Sequence, residues 1–229
     1  MDFFCGGANV AVNSNANKII AIDKETNLIR ILDLFKNYDY MEIVNKLDSI
    51  IEKYNLSNTY KNGYKFYGEN SSSGLGKYNK PYYLKLRDDY NHMKDSSERD
   101  FMFLTLVIYA FNHQIRFNNN GEYNMPVGKR DFNSSIRKNL LEFCRKLVVK
   151  NISFVNTDYK KFKLDSLTSN DFCYFDPPYY LGDASYNEND GWNEKKEKEL
   201  LEYLNEVDKH GIKFALSNVT EHKGLKNEM

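Results

Sequence analysis

The chain has 229 residues, which is enough for one or two domains with a sizeable core. Lys+Arg and Asp+Glu number 32 each, so the formal net charge is zero; this disfavours nucleic-acid binding through bulk charge but leaves local basic patches open. The three cysteines, Cys5, Cys144 and Cys173, show neither disulfide nor zinc spacing, so we expect a reducing, cytoplasmic location. The longest apolar run, within residues 101–111, is too short to cross a bilayer, and the N-terminus lacks the pattern of a secretory signal.

The first third of the chain predicts one buried strand followed by helices. Residues 19–22 are a continuous apolar run that ends at Asp23, which is typical of a strand buried on both faces of a parallel sheet. A helix is predicted next, because apolar residues recur at helical spacing. They are Ile43, Val44, Leu47, Ile50, Ile51 and Tyr54. Residues 55–80 are polar and include ENSSSGLGKYNK, which predicts a loop.

The middle of the chain predicts two helices with a hairpin between them. Residues 98–114 are apolar nearly all round, which indicates a buried helix. In residues 115–125, Asn-Gly separates two short segments that carry aromatic residues, which indicates a β-hairpin. Ser134 and Ser135 are the candidate N-caps of the helix that follows. The apolar residues of that helix are Ile136, Leu140, Cys144 and Leu147.

The last third of the chain alternates strands with a helix. Residues 151–156, 171–175 and 212–218 are predicted strands, and the helix before the last of them ends at Gly211. The apolar face of that helix holds Leu200, Leu201, Leu204 and Val207. This order predicts β–α–β units and a parallel sheet. We therefore expect an α/β domain into which the helical middle of the chain is inserted.

The segment DPPYY, residues 176–180, places an acid at the carboxyl end of a predicted parallel strand, where open α/β sheets bind ligands. Pro177 and Pro178 stiffen the turn and leave carbonyls that accept hydrogen bonds, while Tyr179 offers a flat face. Asp176, a proline carbonyl and an aromatic plane together suit a planar amine. The alternative is a capped strand end with surface tyrosines, because short motifs also arise by chance.

Three further features lie at or near the ends of predicted strands. The segment FCGGA, residues 4–8, has glycines that allow a ligand to approach the backbone, although an ordinary tight turn has the same composition. Asp23 and Asp158 each end a strand, where an acid accepts from ribose hydroxyls, caps a helix or is a solvated charge. Because the carboxyl ends of parallel strands share one rim of a sheet, we expect these acids and Asp176 to converge there.

Arg116 and the run from Lys129 to Lys150 are the basic candidates. The run contains seven Lys or Arg residues, at positions 129, 130, 137, 138, 145, 146 and 150, and we expect most of it to be a solvated helix face. Arg116 lies near Asn112 in the predicted hairpin; hairpins can enter the major groove, and Arg pairs well with guanine. The alternative is that Arg116 pairs with Glu122 across the hairpin. The four His residues show no metal-ligand spacing, so no metal is expected.

These segments resemble the Dam-type DNA adenine methyltransferases of the DPPY class, over nearly the whole chain and in the family's order. DFFCGGANVAVN resembles the family's glycine motif, AIDKE the segment that holds the cofactor ribose, VNTDY the segment that contacts the cofactor adenine, and DPPY the catalytic motif. Residues 111–130 resemble the DNA-recognition hairpin. The implied cofactor-binding residues are Phe4, Cys5, Gly6, Gly7, Ala8, Asp23, Asp158 and Tyr159. The implied catalytic residues are Asp176, Pro177, Pro178 and Tyr179, and the implied DNA-binding residues are Asn112, Arg116, Lys129 and Arg130.

The resemblance implies an α/β, Rossmann-like S-adenosylmethionine-dependent methyltransferase sheet. Residues 1–38 and 132–229 are the expected catalytic domain, and residues 39–131 are an inserted, mostly helical target-recognition domain that bears the β-hairpin. The implied reaction moves a methyl group from S-adenosylmethionine, without a metal, to the exocyclic amine of an adenine flipped out of double-stranded DNA. We expect a monomer. The abundance of Asn, Lys and Tyr indicates an AT-rich genome and hence a bacterium or its phage. Three biological roles stay open: restriction–modification with a cognate endonuclease, a phage function and a housekeeping function.

Two alternatives to this activity stay open. Family members usually carry a few dozen residues before the glycine motif and further strands after the one predicted at residues 212–218, so we expect a chain trimmed at both ends. A trimmed chain is compatible with a non-catalytic, DNA-binding remnant. Methylation of another amine, in cytosine, RNA or glutamine, is the second alternative, although the hairpin segment argues against it.

Overall fold

The computed structural model describes residues 1–181 and 192–227. The strands in this part of the chain are β1 (Asp2–Phe3), β2 (Ile19–Asp23), β3 (Ile152–Asn156), β4 (Phe172–Phe175), β5 (Lys213–Leu216), β6 (Glu221–His222) and β7 (Leu225–Lys226). The helices are α1 (Asn9–Asn13), α2 (Thr26–Asn37), α3 (Tyr40–Lys53), α4 (Thr59–Asn62), α5 (Gly76–His92), α6 (Ser97–Tyr109), α7 (Ser134–Val149) and α8 (Glu194–Lys209). Short 3₁₀ turns cover Tyr64–Tyr67, Phe111–His113, Tyr159–Lys161 and Leu164–Ser166.

The chain divides into two compact units. The sheet unit comprises residues 1–29 and 150–229, and the helical unit comprises residues 30–149. The divisions therefore fall within α2 and just after α7, whereas the domain prediction placed them after residues 38 and 131. Their position has a physical reason, because Ile31 and Leu34 of α2 and Cys144 of α7 are buried in the apolar core of the helical unit.

The sheet unit contains a five-stranded parallel sheet in the order β3-β2-β1-β4-β5. The parallel sheet predicted from alternating strands and helices is confirmed. The centre is apolar: Phe3 of β1 is fully buried and stacks on Phe175 of β4, with ring centroids 4.6 Å apart. Chain order reverses between β1 and β4, and in open α/β sheets ligands bind at the carboxyl ends of the strands beside such a reversal.

Helix α8 packs against this sheet as its sequence predicts, except that Leu201, predicted on its apolar face, is exposed, because it lies one position round the helix from the buried Leu200. Leu200, Leu204 and Val207 are buried, and the helix is followed by Gly211, which has φ +69°. Gly suits that position because a positive φ strains a residue with a Cβ atom. Strand β5 forms one edge of the sheet, and all four of its residues are exposed.

The helical unit confirms α3 and most of α6, which ends at Tyr109 rather than at the predicted residue 114, and it corrects two further predictions. The loop predicted over residues 55–80 is wrong in part, because this stretch contains α4 and the start of α5. Helix α5 buries Tyr83, Leu86 and Tyr90 at helical spacing. All three lie after residue 80, so the polar stretch 55–80 contains none of the apolar residues that would have indicated the helix. The cap of α7 is Asn133 rather than a serine, since its side-chain oxygen accepts from the backbone N–H of residues 135 and 136.

Candidate active site

The candidate residues of the sheet unit lie at or just after the carboxyl ends of four parallel strands. Residues 4–8 follow β1, Asp23 ends β2, Asp158 lies two residues after β3, and Asp176 directly follows β4. Because these strands are parallel and adjacent, their carboxyl ends lie along one edge of the sheet. The sheet topology thus gathers segments that are far apart in the sequence.

The glycine segment turns sharply after β1. Phe4, Gly6 and Ala8 all have positive φ values, of 59°, 47° and 58°. A Cβ atom added at Gly6 would meet nothing within 4 Å, so the left-handed backbone, rather than crowding, is what favours glycine there. The side chain of Cys5 is buried, whereas Gly7 is exposed, so the turn presents backbone to solvent.

Asp23, at the end of β2, holds the glycine segment by a hydrogen bond. Its Oδ2 atom accepts from the Gly6 N–H at 3.0 Å, and its Oδ1 atom accepts from the Glu25 N–H at 2.9 Å. The side chain is only partly buried. Since each carboxylate oxygen has two lone pairs, both oxygens retain capacity for a ligand's hydroxyl groups.

An aromatic wall adjoins the glycine segment. The Phe4 ring lies 5.0 Å from the Tyr159 ring and makes an edge contact with Trp192 at 5.6 Å. The Tyr159 hydroxyl is buried and has no hydrogen-bond partner among the residues that the structure describes. Burial raises the pKa of Tyr159, so this hydroxyl stays protonated and able to donate. Asp158 caps the short turn that carries Tyr159, by accepting from the Lys160 N–H at 2.9 Å.

The DPPY segment forms a small hydrogen-bonded cluster at the end of β4. The Tyr179 hydroxyl lies 2.9 Å from Asp176 Oδ1, to which it donates, and 2.9 Å from Ser217 Oγ. The hydrogen bond with Ser217 lowers the pKa of Tyr179, but the hydrogen bond to Asp176, burial and the Asp176 charge raise it by more. Asp176 is exposed, Pro177 is buried and Pro178 is partly buried. The cluster therefore orients a solvent-facing carboxylate.

Asp2 is a further acid that the sequence analysis did not single out. It is buried in β1, and its Oδ2 atom accepts from the Ala11 N–H at 3.0 Å. The pKa of Asp2 is raised to about 6, mainly by burial and in smaller part by the nearby charges of Asp176 and Asp23, against the opposing effects of the Ala11 hydrogen bond and the N-terminal charge. The sequence signal that could have identified Asp2 is its position as an acid within the otherwise apolar opening stretch MDFFC.

Cys5 is not a nucleophile in this structure. Its thiol is buried, and burial together with the charges of Asp23 and Asp2 raises its pKa well above the ordinary value. The thiol therefore stays protonated, whereas a reactive cysteine requires a thiolate. Cys5 acts here as a small apolar residue beneath the glycine turn.

The predicted hairpin of the helical unit consists of two isolated antiparallel bridges, Ala110–Val127 and Phe117–Tyr123. Arg116 donates from Nε to Asn124 Oδ1 at 2.8 Å, and Glu122 instead accepts from Asn118. The alternative pairing of Arg116 with Glu122 is therefore wrong.

The hairpin is fixed to α5 through its backbone. Asn91 exchanges two hydrogen bonds with the main chain of Tyr123, at 2.9 and 3.2 Å. Arg87 and Tyr83 both donate to the Met125 carbonyl. Helix α5 thus fixes the position of the second half of the hairpin, which contains Tyr123 and Met125. The sequence did not predict this structural role of α5.

The remaining basic candidates divide into exposed and buried side chains. Asn112 is exposed with φ +52°, and Lys129 and Arg130 are exposed on the segment that follows the hairpin. Arg137, which the basic run placed on a mostly solvated face, is buried and pairs with Asp48. Its position on the inner side of α7 explains the difference, since its guanidinium also lies 4.0 Å from the centre of the Phe132 ring.

The described part of the chain contains neither a candidate metal site nor a candidate membrane-spanning helix. No group of three or more His, Cys, Asp or Glu side chains there is arranged to hold a metal ion. No helix there is long and apolar enough to cross a membrane.

Comparison with known proteins identifies relatives over the whole chain. The family model of D12 class N6 adenine-specific DNA methyltransferases matches residues 1–228. The chain is 37% identical to the type II methyltransferase M.FokI of Planomicrobium okeanokoites and 34% identical to the modification methylase StsI of Streptococcus sanguinis, in both cases over 100% of its own length. It is 25% identical to the DNA adenine methylase of Salmonella typhi, over 80% of this chain and 57% of that protein.

The match covers all of this chain but only part of each relative. The chain spans about a third of the length of the first two relatives, 33% of one and 32% of the other. The family model, however, covers almost every residue, including the glycine segment and the DPPY segment. The chain belongs to the D12 class of N6 adenine-specific DNA methyltransferases.

Proposed function

We propose that this chain transfers a methyl group from S-adenosylmethionine to the exocyclic amine of adenine in double-stranded DNA. The observation that carries the proposal is the position of Asp176, Pro177 and Tyr179 directly after β4, next to the strand that leads into the glycine segment. Family membership supports the same reaction. The non-catalytic alternative is not favoured, because the glycine turn, its hydrogen bond to Asp23 and the DPPY cluster are all present.

The edge of the sheet fits S-adenosylmethionine as methyl donor. When bound, this group supplies an electrophilic methyl on a positively charged sulfur. The exposed backbone around Gly6 and Gly7 allows close approach, and Asp23 has spare lone pairs for ribose hydroxyls. The unpartnered Tyr159 hydroxyl offers a donor inside the aromatic wall, and Asp158 offers an acceptor for the amine of the cofactor's adenine.

Asp176 and Pro177 are the proposed acceptors for the two N–H groups of the target amine. That amine is a poor nucleophile, because its lone pair is delocalised into the ring. Accepting both hydrogens favours a pyramidal nitrogen and directs its lone pair. Tyr179 holds the carboxylate of Asp176 through its hydroxyl and offers its ring face to the base. We infer that positioning of this kind supplies most of the acceleration, as in reactions between pre-oriented groups.

We further propose that the helical unit recognises DNA and that the target adenine leaves the duplex. Asn112 and Arg116 are the proposed base-reading residues, and Arg116 is oriented by Asn124. A guanidinium held in a fixed plane suits bidentate pairing with guanine. Lys129 and Arg130 are exposed and suit contacts to phosphates.

The proposed biological context is restriction–modification. M.FokI and StsI are named as a type II methyltransferase and a modification methylase, so a cognate restriction endonuclease is the expected companion of this chain's activity. We propose that the chain acts as a monomer in the cytoplasm of a bacterium or in a phage-infected cell.

The test is transfer of a labelled methyl group to unmethylated DNA, followed by digestion to nucleosides. Label on the adenine nucleoside is expected for the chain itself and for Asp165→Asn, which removes an exposed acid of the same unit outside the proposed site. Asp176→Asn is expected to lose activity by at least about 100-fold, because the amide presents a donor where the amine needs an acceptor. Label on cytosine, or equal label with both variants, would overturn the assignment.

A further inference from the structure

Glu197, on the first turn of α8, is a buried acid that neither the sequence analysis nor the proposed chemistry uses. Only 4% of its surface is exposed. A buried carboxylate is costly unless its oxygens are hydrogen-bonded. Among the described residues its recorded partners are all neutral side chains, so its position depends on hydrogen bonds rather than on an ion pair.

Three N–H donors converge on this carboxylate from three parts of the sheet unit. Trp192, which precedes α8, donates its indole N–H to Oε2. Asn218, two residues beyond the end of β5, donates its amide to Oε1 at 2.6 Å. Asn227, which follows β7, donates to the same oxygen at 3.1 Å. Glu197 thus ties together segments that are separated by up to 35 positions in the sequence.

Two of these donors lead directly to the candidate active site. Trp192 makes its edge contact with Phe4, the residue with φ +59° that begins the glycine turn. Asn218 is adjacent to Ser217, whose hydroxyl lies 2.9 Å from the Tyr179 hydroxyl. The backbone N–H of Ser217 also donates to the Phe175 carbonyl at 2.8 Å, beside Asp176. The Glu197 carboxylate is therefore connected through Trp192 to the glycine turn and through Asn218 to the DPPY cluster.

We propose that Glu197 is a positioning residue that holds Trp192 against Phe4 and Asn218 beside the Ser217–Tyr179–Asp176 cluster. The proposal rests on the proposed function and deepens it, because it assigns the alignment of cofactor and target amine to a residue that touches neither. A carboxylate is required because two acceptor oxygens serve three donors. Glutamine has one acceptor oxygen and a donating amide, so Glu197→Gln sets an N–H against at least one N–H of the present donors.

Trp192 makes the proposal measurable without enzymatic activity, since it is the single tryptophan of the chain. The experiment compares the chain, Glu197→Gln and Glu202→Gln, which removes the same charge from an exposed position of the same helix. Tryptophan emission, circular dichroism, the melting temperature and S-adenosylmethionine affinity by calorimetry are measured for each. DNA methylation gives kcat and the two KM values.

For Glu197→Gln we expect a red-shifted Trp192 emission at unchanged helix content. We also expect about tenfold weaker binding of S-adenosylmethionine, which corresponds to the loss of about one well-made hydrogen bond to a charged group. The KM for DNA should stay within about twofold, because the helical unit is untouched and a factor of two is a small free-energy change. Glu202→Gln should match the unaltered chain in every measurement.

A purely structural role would lower the melting temperature of Glu197→Gln while leaving the emission maximum and cofactor affinity of the folded protein unchanged, and that result overturns the proposal. If Glu197→Gln does not fold, Asn218→Ala replaces it: a lower kcat with unchanged KM for DNA supports the connection, and unchanged kcat refutes it. If the unaltered chain binds no S-adenosylmethionine at millimolar concentration, the proposed function fails. The emission shift still decides whether Glu197 fixes Trp192.

Discussion

Asp2 provides the most direct test of the electrostatics at this edge of the sheet. Its carboxyl group is buried, and burial raises its pKa from the ordinary 3.8 to about 6. Each pKa unit corresponds to about 1.4 kcal/mol of difference between the two protonation states, so ionised Asp2 costs the folded chain about 3 kcal/mol relative to the protonated form. The change to make is Asp2→Asn, which keeps the shape and the oxygen that accepts from Ala11 but cannot ionise.

The sign of the pH dependence follows from linkage. A carboxyl group with a raised pKa binds its proton more tightly in the folded chain than in the unfolded chain, so its contribution to stability rises as the pH falls from about 6 towards 3.8. Above pH 6 both states are ionised and the full penalty is present. Asp2→Asn removes this dependence, so the variant should be more stable than the unaltered chain at pH 8, and the advantage should fall by about 2–3 kcal/mol on going to pH 4.

Urea unfolding at pH 8, 6 and 4 measures both proteins under the same conditions. The difference between them cancels the titration of the carboxylates that do not interact with Asp2, since these affect both proteins alike. Asp165→Asn, at an exposed acid of the same unit, is the matched control and should show no such trend. A difference between Asp2→Asn and the unaltered chain that is the same at all three pH values would refute the raised pKa and the burial argument behind it.

Five further substitutions test other parts of the structure. Tyr159→Phe removes a buried hydroxyl without a partner among the described residues and should raise the free energy of unfolding by about 1 kcal/mol in urea; a loss would mean that the hydroxyl is hydrogen-bonded. Gly128→Ala places a Cβ atom 2.5 Å from the Ala110 carbonyl oxygen and should cost about 2 kcal/mol in the same assay, whereas a cost below about 0.5 kcal/mol would contradict the packing. Arg137→Ala should cost about 3 kcal/mol because it removes a buried guanidinium and with it the charged partner of Asp48. Arg145→Ala, at an exposed ion pair, should cost under about 1 kcal/mol; equal costs would refute the difference in burial. Ser217→Ala should lower the kcat of methylation about fivefold at unchanged KM for S-adenosylmethionine, since it removes one hydrogen bond that orients Tyr179; an unchanged kcat would exclude that role.

Much of the sheet and its edge could be predicted because the signals are local. Residues 19–23 form a continuous apolar run that ends in an acid, and β2 occupies those residues. The DPPY segment ends a strand because two prolines cannot continue one. Once alternating strands and helices imply a parallel sheet, the meeting of Asp23, Asp158 and Asp176 at one edge follows from topology alone.

The contacts that the sequence did not reveal join residues that are far apart in the chain. Arg137 looks like one more cation in a basic run, and only the packing of α7 turns it inward towards Asp48, 89 positions away. The network around Glu197 links residues 192, 218 and 227, and no spacing rule predicts that arrangement. Glu122 was the alternative partner expected for Arg116 within the hairpin, but the register of the hairpin places Asn124 beside Arg116. Such pairings depend on the register between elements, which the periodicity of one element does not encode.

The acids at the edge of the sheet share one electrostatic property. Within residues 1–181 and 192–227, Asp2, Asp23 and Asp176 accept hydrogen bonds from backbone amides or a tyrosine hydroxyl, and none of the recorded salt bridges involves them. Burial is the main cause of the raised pKa of Asp2, and the charges of Asp176 and Asp23 add to it, so this grouping makes ionised Asp2 costly for the fold. A lysine or arginine would relieve that repulsion, but it would also cancel the negative charge that favours a positively charged sulfur and occupy the oxygens that an amine needs. The cost in stability is therefore expected where the proposed chemistry occurs, as at other sites where function and stability conflict.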